Sequence, residues 1–409
     1  MGRCYLDEVF RRRLKYLIMA IVSYGCGGDQ SGKITAIGSP AANLTAPSTT
    51  GASGLPACGS TTTTSAVGAW HAMSLQGAPP TTFMAGVWTG SELAVIEPDP
   101  SQGSPLSVNA YDPALDRWRN IPVPTNVAFT ARMAPYLGAV AGKLIVYGGD
   151  ADPGTGAPGH LTDGWVIDLN DLTWTAMAPG PELWPAMDKF PRVFADGQRA
   201  LFVPSGDYIQ ANNTDVAVAT YDLSTQTWAT APAPGSANGF GCVDGPGWNG
   251  HQAICADVDY LFEIGSTLPS VEPFPFLDQS LVKPSTEVMF APVGDMFLGI
   301  QPGVQVFWVD PASLTWSPSA EIPSLGTAAA TVNGQVLVWG MGALTTTAAG
   351  TPAESLMAAT FDPVGGVWSP VTCAGAPTWP IIGVTVATPS GLIVFDGSGS
   401  PGAAAVLEL

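Results

Sequence analysis

The sequence predicts an all-β protein, and three observations carry that prediction. Only 11% of its 409 residues are charged, less than half of the roughly 25% usual in a soluble domain. Glycine (48) and proline (38) interrupt nearly every stretch of a dozen residues, which leaves little room for long helices. Five times an Asp stands six residues before a Trp and directly after an apolar, strand-forming residue. Length alone, at about 150 residues per domain, suggests two or three domains. The repeat argues instead for one large β domain after a leader.

The elements follow in chain order. Arg11-Arg12-Arg13-Leu14-Lys15 is a positive segment, and Tyr16 to Tyr24 is an apolar run too short to span a bilayer. Residues 1–25 therefore read as a secretory signal peptide. Gly25-Cys26-Gly27-Gly28-Asp29 resembles the lipobox of bacterial lipoproteins. That resemblance implies lipidation at Cys26 and export to the outer membrane or cell surface, with the β domain in the periplasm or outside. An ordinary signal peptide cut nearby, leaving Cys26 free, is the alternative. Residues 26–63 are rich in Ser, Thr, Gly, Ala and Pro and lack aromatics, so they read as a flexible tether.

Cleavage after residue 25 leaves nine Lys and Arg against 31 Asp and Glu, a net charge of −22. Nucleic acid is thereby disfavoured as a partner, since phosphate binding needs clustered cations. His71, His160 and His251 are far apart in sequence, and no cofactor or metal centre is expected. Beyond Cys4 and Cys26, four cysteines fit an oxidising compartment and permit three pairings. Cys242 and Cys255 flank a turn-rich segment, so the simplest pairing is Cys242–Cys255 with Cys58–Cys373. Metal ligation is the alternative, without a C-x-x-C to favour it.

The repeat itself reads Tyr111-Asp112 to Trp118, Ile167-Asp168 to Trp174, Tyr221-Asp222 to Trp228, Val309-Asp310 to Trp316 and Phe361-Asp362 to Trp368. Each is a strand ending at the Asp, a tight turn, and a strand opening near the Trp. Upstream lie paired β-runs, clearest in Tyr136 to Gly149, where an Ala-Gly-Lys turn joins them and a double glycine closes them. With these motifs the segment 64–409 resembles the kelch repeat family of β-propellers. The resemblance implies four-stranded blades around a central channel.

Blade number follows from spacing. Successive tryptophans are 56, 54, 88 and 52 residues apart, and the 88-residue interval holds a degenerate unit from Tyr260 to Pro269. A strand around Trp70 has no complete unit before it, while the chain stops one strand short after Trp368. Seven four-stranded blades result, the last closed by the N-terminal strand around Trp70. Six or eight follow if the degenerate unit is miscounted.

Function is tested against this architecture. Kelch-like copper oxidases require converging Tyr, His and Cys, which three scattered histidines do not offer. The sialidase Asp-box places Asp five residues before Trp, not six. No G-x-S-x-G elbow sits on a strand-to-helix pattern. In kelch propellers the residue sixteen before the double glycine opens the innermost strand, near the channel mouth. Arg132 and Lys283 occupy that place, Arg192 a similar one, and Trp379 and Phe240 stand at or next to it in other units. Their convergence would make an anion-binding mouth, Arg gripping a carboxylate and aromatics stacking on a sugar. The alternative is that each cation pairs with a local acid. The repeated Asp and Trp residues read as turn formers and packing residues.

Two functions are carried forward. One is a non-enzymatic binding propeller at the bacterial envelope, monomeric, recognising a protein or glycan through one loop face. The other is a sugar- or sialic-acid-directed enzyme of epimerase or lyase type using the basic rim.

Overall fold

The chain divides into two units, Met1–Thr45 and Ala46–Leu409. The computed structural model describes residues 66–409 of the second, apart from 80–84, 97–106, 128–131, 133–134, 150–160, 184–191, 204–216, 233–246, 256–259, 264–268, 274–287, 302–304, 314, 319–327, 342–344, 347–351, 380–383 and 396–403. The expected signal and tether, including Cys26 and Cys58, lie outside the described residues. Among the described residues there is no helix.

Strand β1 (Ala69–Ala72) comes first, and the next four form an antiparallel sheet in chain order: β2 (Ala85–Trp88), β3 (Leu93–Ile96), β4 (Val108–Asp112) and β5 (Arg117–Ile121). The pattern recurs with β6 (Tyr136–Val140), β7 (Lys143–Tyr147), β8 (Gly164–Asp168) and β9 (Thr173–Ala176). It recurs again with β10 (Arg192–Asp196), β11 (Arg199–Val203), β12 (Ala217–Asp222) and β13 (Thr227–Pro232). The degenerate unit makes a sheet of its own from β14 (Gly247–Trp248), β15 (Gln252–Cys255), β16 (Tyr260–Glu263) and β17 (Ser270–Pro273). Next come β18 (Met289–Val293), β19 (Met296–Gln301), β20 (Gln305–Asp310) and β21 (Thr315–Pro318). The following sheet has β22 (Ala328–Val332), β23 (Gln335–Met341), β24 (Thr345–Thr346), β25 (Pro352–Asp362), β26 (Val367–Pro370) and β27 (Thr378–Trp379). There β25 outgrows its neighbours and pairs with β24 and β27 beyond the four-strand core. Finally β28 (Val384–Thr388), β29 (Gly391–Phe395) and β30 (Ala404–Glu408) are joined by β1, with Trp70 opposite Leu407.

This is a β-propeller-like arrangement of antiparallel four-stranded blades. Among the described residues the hydrogen-bonded sheets number six, not the seven separate ones expected. The difference has a local cause. Strands β6 and β10 run parallel and pair at Arg192↔Leu137, merging two meanders into one eight-stranded sheet. Gly138 permits that approach: a Cβ placed there would stand 2.4 Å from Cβ of Val193.

Packing explains why the second strand of each sheet reads as an unbroken apolar run. Leu93–Ile96 is buried at every position, as are all residues of Gly391–Phe395, because both faces of the sheet are covered. The apolar clusters lie between neighbouring sheets. Ile96, Val108 and Ile121 meet Leu137, Leu144 and Ile167 in one cluster, and Tyr136 and Tyr147 meet Phe202 and Tyr221 in another. Phe194 stacks on Trp248 at 5.1 Å to link β10 with β14. Further clusters join Ile254 to Phe290 and Phe297, Leu298 to Val338, and Leu337 to Leu392. The last joins Phe395 and Ala404 back to Leu93, Tyr111 and Trp118.

The repeated Asp builds the turn at the end of each third strand. Its Oδ1 accepts the backbone N–H two residues on, at 2.9 Å for Asp112, 3.0 Å for Asp168, 2.8 Å for Asp222, 2.9 Å for Asp310 and 2.9 Å for Asp362. The residue two before the Trp then takes positive φ: Asp116 (46°), Leu172 (60°), Gln226 (56°) and Gly366 (66°). Four units with unrelated side chains thus share one turn geometry, fixed by the Asp.

Candidate functional site

Strand direction sorts the connections to opposite ends of the sheets. At one end, the turn end, no connection between strands exceeds six residues, and most are two to four. At the other, the loop end, lie the third-strand connections 97–107, 148–163, 204–216, 342–351 and 396–403. The sheet-to-sheet connections 73–84, 122–135, 177–191, 233–246, 274–288, 319–327 and 371–383 lie there too. All of these are eight to sixteen residues long, and only 256–259 and 302–304 are short at this end.

Acid outweighs base in the sequence of the connections at the loop end. Its connections carry 16 Asp and Glu, against Arg132, Lys189 and Lys283 as the only Lys or Arg. Three candidate rim residues of the sequence belong to this end: Arg132 precedes β6, Arg192 opens β10, and Trp379 ends β27, opposite Glu354 on β25. Side chains of Arg192 and Trp379, and all of Lys283 and Phe240, lie outside the described residues.

Arg132 is the candidate whose surroundings are described, and it faces inward. Its side chain is wholly buried, while that of its partner Asp163 is 47% exposed. One guanidinium nitrogen donates to the carbonyls of Gly148 (3.0 Å) and Asp163 (3.2 Å), and the other to Oδ2 of Asp163 (3.0 Å). These bonds tie the strand opening on β6 to the ends of β7 and β8 within one sheet. The described donors are turned to the protein's own carbonyls and to the Asp163 carboxylate. Sequence reading missed Asp163, which lies 31 residues away and directly before β8.

The tryptophans do more than fill space. Trp118 Nε1 donates to the Ser74 carbonyl (2.9 Å), Trp228 Nε1 to Ala178 (2.8 Å) and Trp70 Nε1 to Thr372 (2.9 Å). Each acceptor stands four residues after the Trp of the preceding four-strand meander, namely Trp70, Trp174 and Trp368. Arg119 adds a second inter-sheet tie, bidentate to Glu92 and donating to the Leu169 carbonyl at 2.7 Å.

Ionisation of the turn carboxylates follows their hydrogen bonds. The Ser224 hydroxyl holds the carboxyl of Asp222 below its usual range, the Ser313 hydroxyl does so for Asp310, and the Asn170 N–H for Asp168. Burial raises the phenols of Tyr111, Tyr136 and Tyr147. These shifts belong to turns and packing interfaces, and none lies in a shared cleft.

Among the described residues no group of three or more His, Cys, Asp or Glu is placed to hold a metal ion. His71 pairs with Glu408 at 3.5 Å on the exposed outermost strand, and His251 lies in a turn at the other end from the loops. Cys373 is disulfide-bonded, and Cys255 ends β15 opposite Tyr260. Cys242 and Cys58 lie outside the described residues. No protein-family model matches the chain, and a search of curated proteins finds no match.

Proposed function

We propose that this protein is a binding propeller of kelch-like type, exported and anchored at Cys26, that presents its loop end to a protein or glycan partner. One observation carries the reading: long connections are gathered at one end of every sheet and tight turns at the other. Long loops on a rigid scaffold are where recognition residues are placed, because they vary without disturbing the core. The excess of acid over base in those connections favours a partner that brings positive charge. An anionic sugar is the poorer fit, since Arg132 is occupied by Asp163.

The same proposal counts the eight-stranded sheet as two blades and takes β1 as the outermost strand of the last, giving seven. Two facts support it. Trp70 both donates to the sheet before it and precedes by four residues the acceptor of Trp118, as a repeat Trp does. The inter-sheet clusters also lead from β2–β5 through each meander and back.

The test is binding by the full chain, screened on arrayed glycans and by pull-down, with a variant in which 97–107 is replaced by a two-residue turn. Loss of the captured partner at unchanged melting temperature is expected. Retention of binding by that variant, with loss on changing the exposed turn-end residue Val364 to Lys, would place recognition at the opposite end and overturn the proposal.

A further inference from the structure

Asn-Gly occurs three times in the chain, at Asn238, Asn249 and Asn333. The first lies outside the described residues, and the fold treats the other two differently. Asn333-Gly334 is the whole two-residue turn between β22 and β23, exposed at both positions, with φ of 49° and 76°. Positive φ at both central residues is the geometry that favours Asn-Gly in a tight hairpin. Among the described residues the Asn333 side chain makes one hydrogen bond, from Nδ2 to the Leu409 carbonyl at 3.3 Å. The Gly334 N–H donates no backbone hydrogen bond among them.

Asn249-Gly250, in the turn between β14 and β15, is held at both ends of its carboxamide. Asn249 is half-buried, and its Oδ1 accepts the N–H groups of His251 (3.2 Å) and Gln252 (2.8 Å). Its Nδ2 donates to Oε1 of Gln252 (3.3 Å) and to the Asp295 carbonyl (3.4 Å). A Cβ placed on either glycine would meet nothing within 4 Å, so the room around the backbone is the same at both turns. What differs is the freedom of the asparagine side chain.

We propose that Asn333 is a site of spontaneous deamidation and that the fold protects Asn249 from the same reaction. The Gly334 nitrogen gives up its proton to hydroxide and attacks Cγ of Asn333, unobstructed because glycine has no Cβ beside that nitrogen. The new C–N bond closes a cyclic imide as the Cγ–Nδ2 bond breaks and Nδ2 leaves as ammonia. Water then opens the imide, giving aspartate when it attacks the side-chain carbonyl and isoaspartate when it attacks the main-chain one. The donor that tied this turn to Leu409 becomes a carboxylate facing a carbonyl, so the tie between two neighbouring sheets is lost and the turn end gains a negative charge.

The experiment holds the full chain at mildly alkaline pH and compares it with protein set aside at the start. Trypsin and a glutamate-specific protease place Asn333 in 322–354, which has no other Asn and no Asp, and Asn249 in 200–263. Mass spectrometry is expected to show a one-dalton gain at Asn333 as a mixture of aspartate and isoaspartate. That gain grows at least about tenfold faster than at Asn249, whose carboxamide must first break several hydrogen bonds. In guanidinium chloride, where the fold no longer distinguishes them, the two sites convert at similar rates. Equal rates in the folded protein, aspartate without isoaspartate at position 333, or a difference that persists in guanidinium chloride would each overturn the proposal.

Discussion

Replacing Arg132 by Met separates a structural cation from a binding one. The side chain is fully buried, and its guanidinium donates to two described carbonyls and a carboxylate. Removing one partner of a buried ion pair costs about 3–5 kcal/mol, mostly because the other is left uncompensated. Asp163 is 47% exposed and keeps part of its hydration, which puts the loss at the lower end, about 3 kcal/mol. At about 2.1 cal/mol/K per residue, the unfolding entropy of about 340 residues is near 0.7 kcal/mol/K, so the melting temperature falls by about 4 °C. Thermal melts followed by circular dichroism read this directly. A double change that also converts Asp163 to Leu recovers part of the loss, because no charge is then stranded. The reasoning is refuted if Arg132→Met melts with the parent protein yet loses its partner in the binding screen.

Three more outcomes are expected. Gly138→Ala forces a Cβ to 2.4 Å from that of Val193 on a neighbouring strand, and lowers stability by about 2 kcal/mol in urea titration; an unchanged midpoint denies the close approach of β6 and β10. Trp70→Phe and Trp118→Phe each keep an aromatic ring but lose one hydrogen bond to the preceding sheet, so each costs about 1 kcal/mol; a loss at Trp118 alone removes Trp70 from the set of repeat residues. The third concerns acid. Asp222 and its equivalents have folded-state pKa values lowered by hydrogen bonds, so their contribution is fully present above the unfolded carboxylate range and is lost as pH falls through the folded value, below about 4. Asp222→Asn therefore melts below the wild type at neutral pH and converges with it at pH 2, whereas a constant gap across that range removes the ionised carboxylate from the account.

Much of this was legible because the turn is a local device. An Asp caps its own turn within three residues, so Asp112, Asp168, Asp222, Asp310 and Asp362 announce themselves by spacing whatever packs around them. The degenerate unit was legible for the same reason, with Glu263 ending β16 where an Asp ends other third strands. Arg132 was located at its strand opening but its role was not legible, since the Asp163 carboxylate that claims it is brought close only when β6, β7 and β8 pair.

The sequence by itself determined what depends on near neighbours: strands, tight turns and the four-strand unit. Tertiary structure alone decided what depends on residues meeting across sheets. It merged two meanders at Arg192↔Leu137, because a glycine left room for a valine. It turned a candidate ligand-binding arginine inward, and it hung each of three tryptophans on a carbonyl 44 to 302 residues away. Hydrogen bonds within a turn are encoded by spacing, whereas those between sheets exist only once the apolar faces have been buried against one another.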